Sequence, residues 1–330
     1  MFSYSVGLCG LGKYVPSKKI KNSVIEEGAG LPSGYIEEKT GIKSRFIAED
    51  DEQASDMAYM AAVMALDKAG ITAKDLDLII CCTFTGDYVY PALSCKLQQM
   101  LGATNAGTFD VMANCTGFQV GLSIASDRML VDDSLDYVLV LGVALQSRYI
   151  NWKDPSSSIY FGDGAGASIL TKVPKRYGFK SHKIITNSSA YEAVRMRGGG
   201  TSFPINEKNV SDGLQYYELN GLEVWKQAIT YQPKAIRGCL EKIDKKIEDV
   251  NFFILHQANA NLIDYQLKRM GKTINDTFIN VDKYGNTADA SMAIAFCEAV
   301  ENNLLKRGDL VVISGIGAGF IFGASSLIWY

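Results

Sequence analysis

Histidine is nearly missing from this chain, with two in 330 residues, His182 and His256. No Cys-x-x-Cys pair and no cluster of cysteine with histidine occurs, so the usual zinc patterns are excluded. Long apolar runs are missing too: Leu78–Cys82 and Val138–Val143 are of strand length, far below the ~20 residues of a membrane-spanning helix. The start, Met1 to Val6, has neither the basic residues nor the apolar segment of a secretory signal. Excess charge of either sign is also lacking. A net charge of −3 provides no global attraction to nucleic acid or to an anionic membrane, and any acidic partner must be met by a local patch. The seven cysteines are odd in number and irregularly spaced, and the adjacent Cys81 and Cys82 point to opposite faces of a strand. These features predict reduced thiols and a cytoplasmic location.

What is present is an ordinary globular composition, 47% hydrophobic and 21% charged, in a chain long enough for one to three domains. One stretch stands out: Phe109 to Phe118, containing Asn114-Cys115-Thr116-Gly117, followed by an apolar run. Phe118, Leu122, Ala125 and Met129 recur at helical spacing, and Val120, Ile124 and Leu130 make the helix apolar nearly all round. Such a helix belongs in the middle of a large domain. Cys115 falls in its first turn, where the helix dipole lowers a thiol pKa and a nucleophile would be placed. A structural core cysteine is the plainer alternative.

The order of elements around this stretch returns later in the chain. Ser55 caps a predicted alanine-rich helix stopped by Gly70, and Asp77 and the strand Leu78–Cys82 follow. Downstream, a helix from about Leu222 to Ile243, disturbed at Pro233, leads through Asp249 to the strand Phe252–Leu255 and His256. Cys115 opens a helix ending near Leu130, followed by Val138–Leu141; Asn286 opens one containing Ile294 and Phe296, followed by Leu310–Ile313. The offsets nearly agree, 174 residues from Cys82 to His256 and 171 from Cys115 to Asn286. The pattern predicts a duplicated α/β architecture, residues 1–174 and 175–330, packed as one compact unit. Equivalent loops then carry Cys115, His256 and Asn286 to one surface, beyond strand ends and at helix starts. Between the halves, Thr171 to Asp212 reads as a polar, irregular excursion.

Each candidate has a bland alternative. His182, among lysines and serine, reads as a solvated surface residue, and His256 could be a half-buried strand-end histidine rather than a proton-transfer group. Gly285-Asn286-Thr287 is ordinary cap chemistry unless the amide faces developing charge. Ser314 to Phe320 looks like a dinucleotide glycine loop, but a strand follows it where a helix is required. Phe161-Gly162-Asp163-Gly164-Ala165-Gly166 reads as a structural hairpin.

Together these segments resemble the β-ketoacyl-acyl-carrier-protein synthase III family, of the thiolase fold. The motifs are Lys39-Thr40-Gly41-Ile42, the Cys115 segment, Phe161-Gly162-Asp163-Gly164, His256-Gln257-Ala258-Asn259, Gly285-Asn286-Thr287 and Gly317-Ala318-Gly319, with 30 residues between His256 and Asn286. The resemblance implies a layered αβαβα fold and a Cys–His–Asn site. Cys115 would take an acyl group from a thioester, His256 and Asn286 would hold a malonyl thioester as it loses carbon dioxide, and the N–H groups of Cys115 and Ala318 would form the oxyanion hole. It further implies thioester substrates carried on coenzyme A or on an acyl carrier protein, no tightly bound cofactor or metal, and a homodimer.

The pattern breaks in places. Tyr35 stands where family members that prime from coenzyme A usually carry a Trp, Pro155 where they carry an Arg, and Lys39 replaces an Arg. Weak coenzyme A binding and a carrier-borne acyl donor follow. Lys226, Lys268 and Arg269 match a carrier-docking patch, or else form a solvated basic face. Tyr90 matches an aromatic projected into the partner's acyl pocket, and Phe161 matches a pocket residue. Two rivals to a condensing enzyme stay open: acyl transfer to an oxygen or nitrogen nucleophile, and a non-catalytic subunit that binds acyl carriers.

Overall fold

Alternation along short strands sorts the molecule into layers. The structure, a computed structural model, describes residues 3–330, so the first two residues of the Met1–Val6 start lie outside it. Five strands, β1 (Tyr4–Tyr14), β2 (Leu78–Cys82), β3 (Gly107–Val111), β4 (Tyr137–Ala144) and β5 (Gly164–Pro174), form one sheet in the order β1–β5–β4–β2–β3. Four more, β6 (Gly178–Thr186), β7 (Phe252–Leu255), β8 (Leu310–Gly317) and β9 (Ile321–Ile328), form a second in the order β7–β8–β9–β6. The strands that lead into the site are parallel pairs, β2 with β3 and β4, and β7 with β8.

Helices α1 (Ala54–Ala69) and α2 (Leu93–Leu101) cover one outer face, and α3 (Gly117–Val131) lies between the sheets. Helices α4 (Gly221–Leu240) and α5 (Ala260–Arg269) cover the other outer face, and α6 (Ser291–Glu301) joins α3 in the middle. Side-chain periodicity explains the order. Ile79 and Cys81 face α1 and α2, whereas Ile80 and Cys82, one residue along, face α3. Phe253 and Leu255 face α4 and α5, whereas Phe252 and Ile254 face the centre. The central layer packs Phe118, Leu122, Met129, Met292 and Phe296 against both sheets, and each such side chain contributes ~1.5–3 kcal/mol by burial. No helix among the described residues is long and apolar enough to cross a membrane.

Several expectations need correction. Gln53, not Ser55, is the N-cap of α1, its N–H donating to the Asp56 carboxylate at 2.9 Å, and the buried Ser55 hydroxyl finds no partner among the described residues. Helix α3 is apolar nearly all round but not buried all round, because Ile124 and Val131 are exposed. The segment Thr171 to Asp212 is not irregular: it holds β6, a short strand Val194–Met196 paired with Tyr217–Leu219, and a helix Glu207–Ser211. Phe161 to Gly166 is no hairpin either. Gly164 opens β5, and the buried Asp163 carboxylate accepts from the N–H groups of Ala48, Gln146 and Ser147 and from the Ser147 hydroxyl, at 2.6–3.0 Å. His182 is not solvated. It lies on β6 with Nδ1 2.8 Å from the Ser325 hydroxyl and its ring against Phe179, and burial pushes its pKa down to about 4.

Candidate active site

Cys115 sits in a tight turn, Asn114–Thr116, between the end of β3 and the start of α3. Asn114 takes a positive φ of 49° to make that turn, and its side-chain amide donates to the Ala318 carbonyl at 3.1 Å. The glycine loop after β8 therefore lies directly on the cysteine turn. A Cβ at Gly317 would stand 2.4 Å from the Ala113 carbonyl oxygen, so only glycine allows this approach. The Ala318 N–H has no partner among the described residues.

Cys115 is half-buried by surface, yet protein surrounds its thiol, and this burial, with the nearby Asp289, raises its pKa well above the usual value. That corrects the expectation of a lowered pKa. The dipole at the start of α3 is present, but loss of water outweighs it in the free protein. Asp289 belongs to the turn Ala288–Ala290, which packs on the cysteine turn, and neither of its buried carboxylate oxygens has a partner among the described residues. Burial raises the Asp289 pKa well above the usual carboxylate range.

His256 follows β7 and is 5% exposed. Its backbone N–H donates to the Ser314 carbonyl at 3.0 Å, and its Nδ1 lies 2.7 Å from the hydroxyl of Ser291, the first residue of α6. Burial alone pushes its pKa down to about 3, so the ring is neutral at pH 7 with a single N–H. The Gln257 N–H donates to the same Ser291 oxygen at 3.3 Å. Among the described residues the Ser291 proton has no acceptor other than Nδ1, so the hydroxyl donates to Nδ1 and the ring proton sits on Nε2, which bonds to no protein group among the described residues.

Asn286 is fixed through its backbone and its carbonyl. Its N–H donates to Tyr160 at 2.9 Å, its backbone oxygen accepts from Gly162 and from the Gln146 side chain, and its Oδ1 accepts from the Ala288 N–H at 2.9 Å. Its Nδ2 donors have no partner among the described residues. Both cap chemistry and a free amide are therefore present, on opposite ends of one side chain. The site thus collects Cys115, His256, Asn286 and Ala318 from four separate segments, with one free imidazole N–H, one free amide and one free backbone N–H.

The other candidates lie around it. Phe161, 5% exposed, pairs with Asn286 in an isolated β-bridge and belongs to an aromatic cluster with Phe84, Tyr149 and Tyr217. Tyr35 and Lys39 share the short helix Tyr35–Thr40, which packs on α5, and Lys39 lies 5.8 Å over the Tyr35 ring. Lys226 on α4 and Lys268 and Arg269 on α5 are exposed, and the Trp225–Tyr265 pair, 5.6 Å apart, joins their helices. Each lysine has an acid on its own helix, Glu223 at 3.8 Å and Asp264 at 2.6 Å. Tyr90 is not brought to this site: it is 84% exposed, on a loop beside Tyr88 and Val89, which are 70% and 91% exposed.

Sequence reasoning missed Ser291, Tyr217 and Trp152. Ser291 had a signal, a lone hydroxyl at the start of an apolar helix five residues after Asn286. Trp152 had none, yet it joins Tyr35 in one apolar cluster.

Comparison with known proteins gives the family. The family model described as 3-oxoacyl-(acyl-carrier-protein) synthase III matches residues 109–188, and the model of its C-terminal part matches residues 240–329. The chain is 38% identical over 321 residues to a β-ketoacyl-(acyl-carrier-protein) synthase III of Natranaerobius thermophilus, covering 96% of this chain and 97% of that one. Among solved structures, the 3-oxoacyl-(acyl-carrier-protein) synthase III of Aquifex aeolicus superposes with a TM-score of 0.90 at 32% identity, over 98% of this chain and all of that one. The priming β-ketosynthase of the R1128 polyketide pathway superposes with a TM-score of 0.89 at 30% identity, over 98% and 96%. The chain belongs to the β-ketoacyl-acyl-carrier-protein synthase III family of thiolase-fold proteins.

Proposed function

We propose that this chain is a condensing enzyme whose nucleophile is Cys115 and whose decarboxylation site is His256 with Asn286. The observation that carries the reading is the neutral His256 ring, held by Ser291 with its Nε2–H free, beside the free amide of Asn286 and the cysteine turn. In the first half-reaction the Cys115 sulfur attacks the carbonyl of an acyl thioester. The N–H groups of Cys115 and Ala318 stabilise the oxyanion, the carbon–sulfur bond of the donor breaks, and the Cys115 thiol proton passes to the departing thiolate, which leaves as the free thiol. Each such donor is worth ~3 kcal/mol of barrier. In the second, a malonyl thioester binds with its thioester oxygen on His256 Nε2–H and Asn286 Nδ2–H. Its carbon–carboxylate bond breaks, carbon dioxide leaves, and the electron pair becomes an enolate held by the two donors. The enolate carbon attacks the acyl-enzyme and releases a 3-oxoacyl thioester and free Cys115. A neutral imidazole suits this role, since it donates without delivering a full charge to the carboxylate that must leave.

Charge and exposure support further parts of the reading. Lys226, Lys268 and Arg269 present a cationic face to an acyl carrier protein, although the ion pairs with Glu223 and Asp264 leave it partly neutralised. The acyl primer is carried on that protein in preference to coenzyme A, because Pro155 supplies no guanidinium to pair with Tyr35 around an adenine. The protein works as a homodimer in the cytoplasm. Strand β3 is an open sheet edge, and the exposed Val89, Tyr90, Phe109 and Met112 around it need a cover. A second copy placed there would carry Tyr90 toward its partner's acyl pocket.

Intact-protein mass spectrometry after incubation with acyl-coenzyme A and acyl-carrier thioesters tests the nucleophile. A mass gain that Cys115→Ala abolishes is expected, followed by malonyl-dependent carbon dioxide release. An adduct without carbon dioxide release would assign simple acyl transfer, and no adduct from any donor would overturn catalysis by Cys115.

A further inference from the structure

In the aromatic cluster around Phe161 stands a phenol with nothing to bind among the described residues. Tyr217, in the short strand Tyr217–Leu219, is 9% exposed, and its hydroxyl is buried without a partner among the described residues. The ring cannot swing out to find water. Tyr149 stacks on it at 6.0 Å, Phe161 meets it edge-on at 5.7 Å, and Phe84 closes a third side at 6.2 Å. Through Phe161, which bridges to Asn286, this aromatic cluster adjoins the catalytic residues. Burial raises the Tyr217 pKa strongly, and nearby Tyr149 and Cys115 raise it further, so the group stays an O–H donor. Phenylalanine would fill the same space without the unmet donor, and an unmet buried donor is destabilising. The arrangement has a use if the partner arrives with the substrate.

We propose that Tyr217 determines primer specificity, donating its hydroxyl to an oxygen carried along the acyl chain, so that a short hydroxyacyl or oxoacyl thioester is preferred over a plain alkyl one. The inference rests on Cys115 being the acyl acceptor. Its physical basis is the asymmetry of polar recognition: a site built to bond a substrate oxygen rejects the analogue that leaves its own buried group unpaired. An apolar pocket wall would make no such distinction, since the added oxygen would then be the unpaired group.

The test is the single-turnover rate of Cys115 acylation, read by intact mass, with butyryl, 3-hydroxybutyryl and 4-hydroxybutyryl thioesters on coenzyme A and on a carrier protein. For the wild-type protein, one of the hydroxyacyl donors is expected to exceed butyryl in kcat/KM by about tenfold or more. Tyr217→Phe brings that ratio to within about twofold of one, chiefly by slowing the hydroxyacyl donor, and melts no lower than wild type because it removes an unpaired group. A wild-type preference for butyryl, equal rates for all three, or an unchanged ratio in Tyr217→Phe overturns the proposal. Acylation by every donor alike leaves Cys115 as the acyl acceptor and removes only the role of Tyr217. Absence of any adduct removes both.

Discussion

Replacing Ser291 with alanine separates the two half-reactions. Among the described residues the Ser291 hydroxyl is the one group that bonds His256 Nδ1, at 2.7 Å, and it fixes both the ring's orientation and the nitrogen that carries the proton. In Ser291→Ala the Nδ1 atom is left buried and unpaired, which is worth ~1–3 kcal/mol. If that loss falls on the decarboxylation transition state, condensation slows roughly 5- to 150-fold, at ~1.4 kcal/mol per decade. In the proposed mechanism acyl transfer to Cys115 would use the backbone donors of Cys115 and Ala318 instead, so its rate is expected to stay within about twofold of wild type. The assay pairs acyl-enzyme formation, followed by mass, with malonyl-dependent carbon dioxide release in the same preparation. Wild-type condensation in Ser291→Ala, or an equal loss of both steps, would refute the assignment of His256 to the second half-reaction.

Three further outcomes follow from the same geometry. Because burial and Asp289 raise the Cys115 pKa, alkylation of this thiol by iodoacetamide in the free protein should climb steadily with pH, and a plateau below pH 8 would contradict it. Gly317→Ala should lower turnover by roughly a hundredfold with the overall fold kept by circular dichroism, since a Cβ 2.4 Å from the Ala113 oxygen displaces the cysteine turn or the Ala318 N–H. His182, held neutral with a folded pKa of about 4 against about 6.5 unfolded, binds its proton more readily in the unfolded chain. Its contribution is thus complete above pH 6.5 and declines as pH falls toward 4, by at most ~1.4 kcal/mol per pH unit, and His182→Asn should flatten that decline in thermal melts.

Strands with a strict local signature were legible in the sequence. Leu78–Cys82 and Phe252–Leu255 have the predicted ends, because a short apolar run bounded by Asp and turn residues says little else. Strand β1 was not legible. Its Gly10 and Gly12 look like strand breakers, and the reason for them lies in another element: a Cβ at either would stand 2.1–2.2 Å from a carbonyl oxygen of α1. His182 misled for a similar reason. Lys180, Ser181 and Lys183 around it are polar, but the strand turns the imidazole onto Phe179 and Ser325, and only the register of β6 against β9 shows this. In the site, the residue types and their order pointed to Cys115, His256 and Asn286. The thiol's electrostatics could not be read, because the helix dipole is a local property and desolvation belongs to the whole fold. Ser291, Asp289 and Tyr217 matter through orphaned or single bonds that no spacing rule encodes.

The separation of the nucleophile from its helpers along the chain has a consequence for synthesis. A polypeptide emerges from the ribosome with its N-terminus first. All five strands of the first sheet, and the cysteine turn, lie before Pro174, whereas His256, Asn286 and Ala318 arrive in the last third. A stalled or clipped chain that ends before β7 carries Cys115 without the imidazole, the amide or the Ala318 N–H, and its thiol meets acyl thioesters as an ordinary, weakly reactive cysteine. The same fragment leaves bare the face of the first sheet that the second half covers, an apolar surface of the kind that chaperones and proteases seize. On the proposed mechanism, competence would therefore arrive only with the closing residues of the chain.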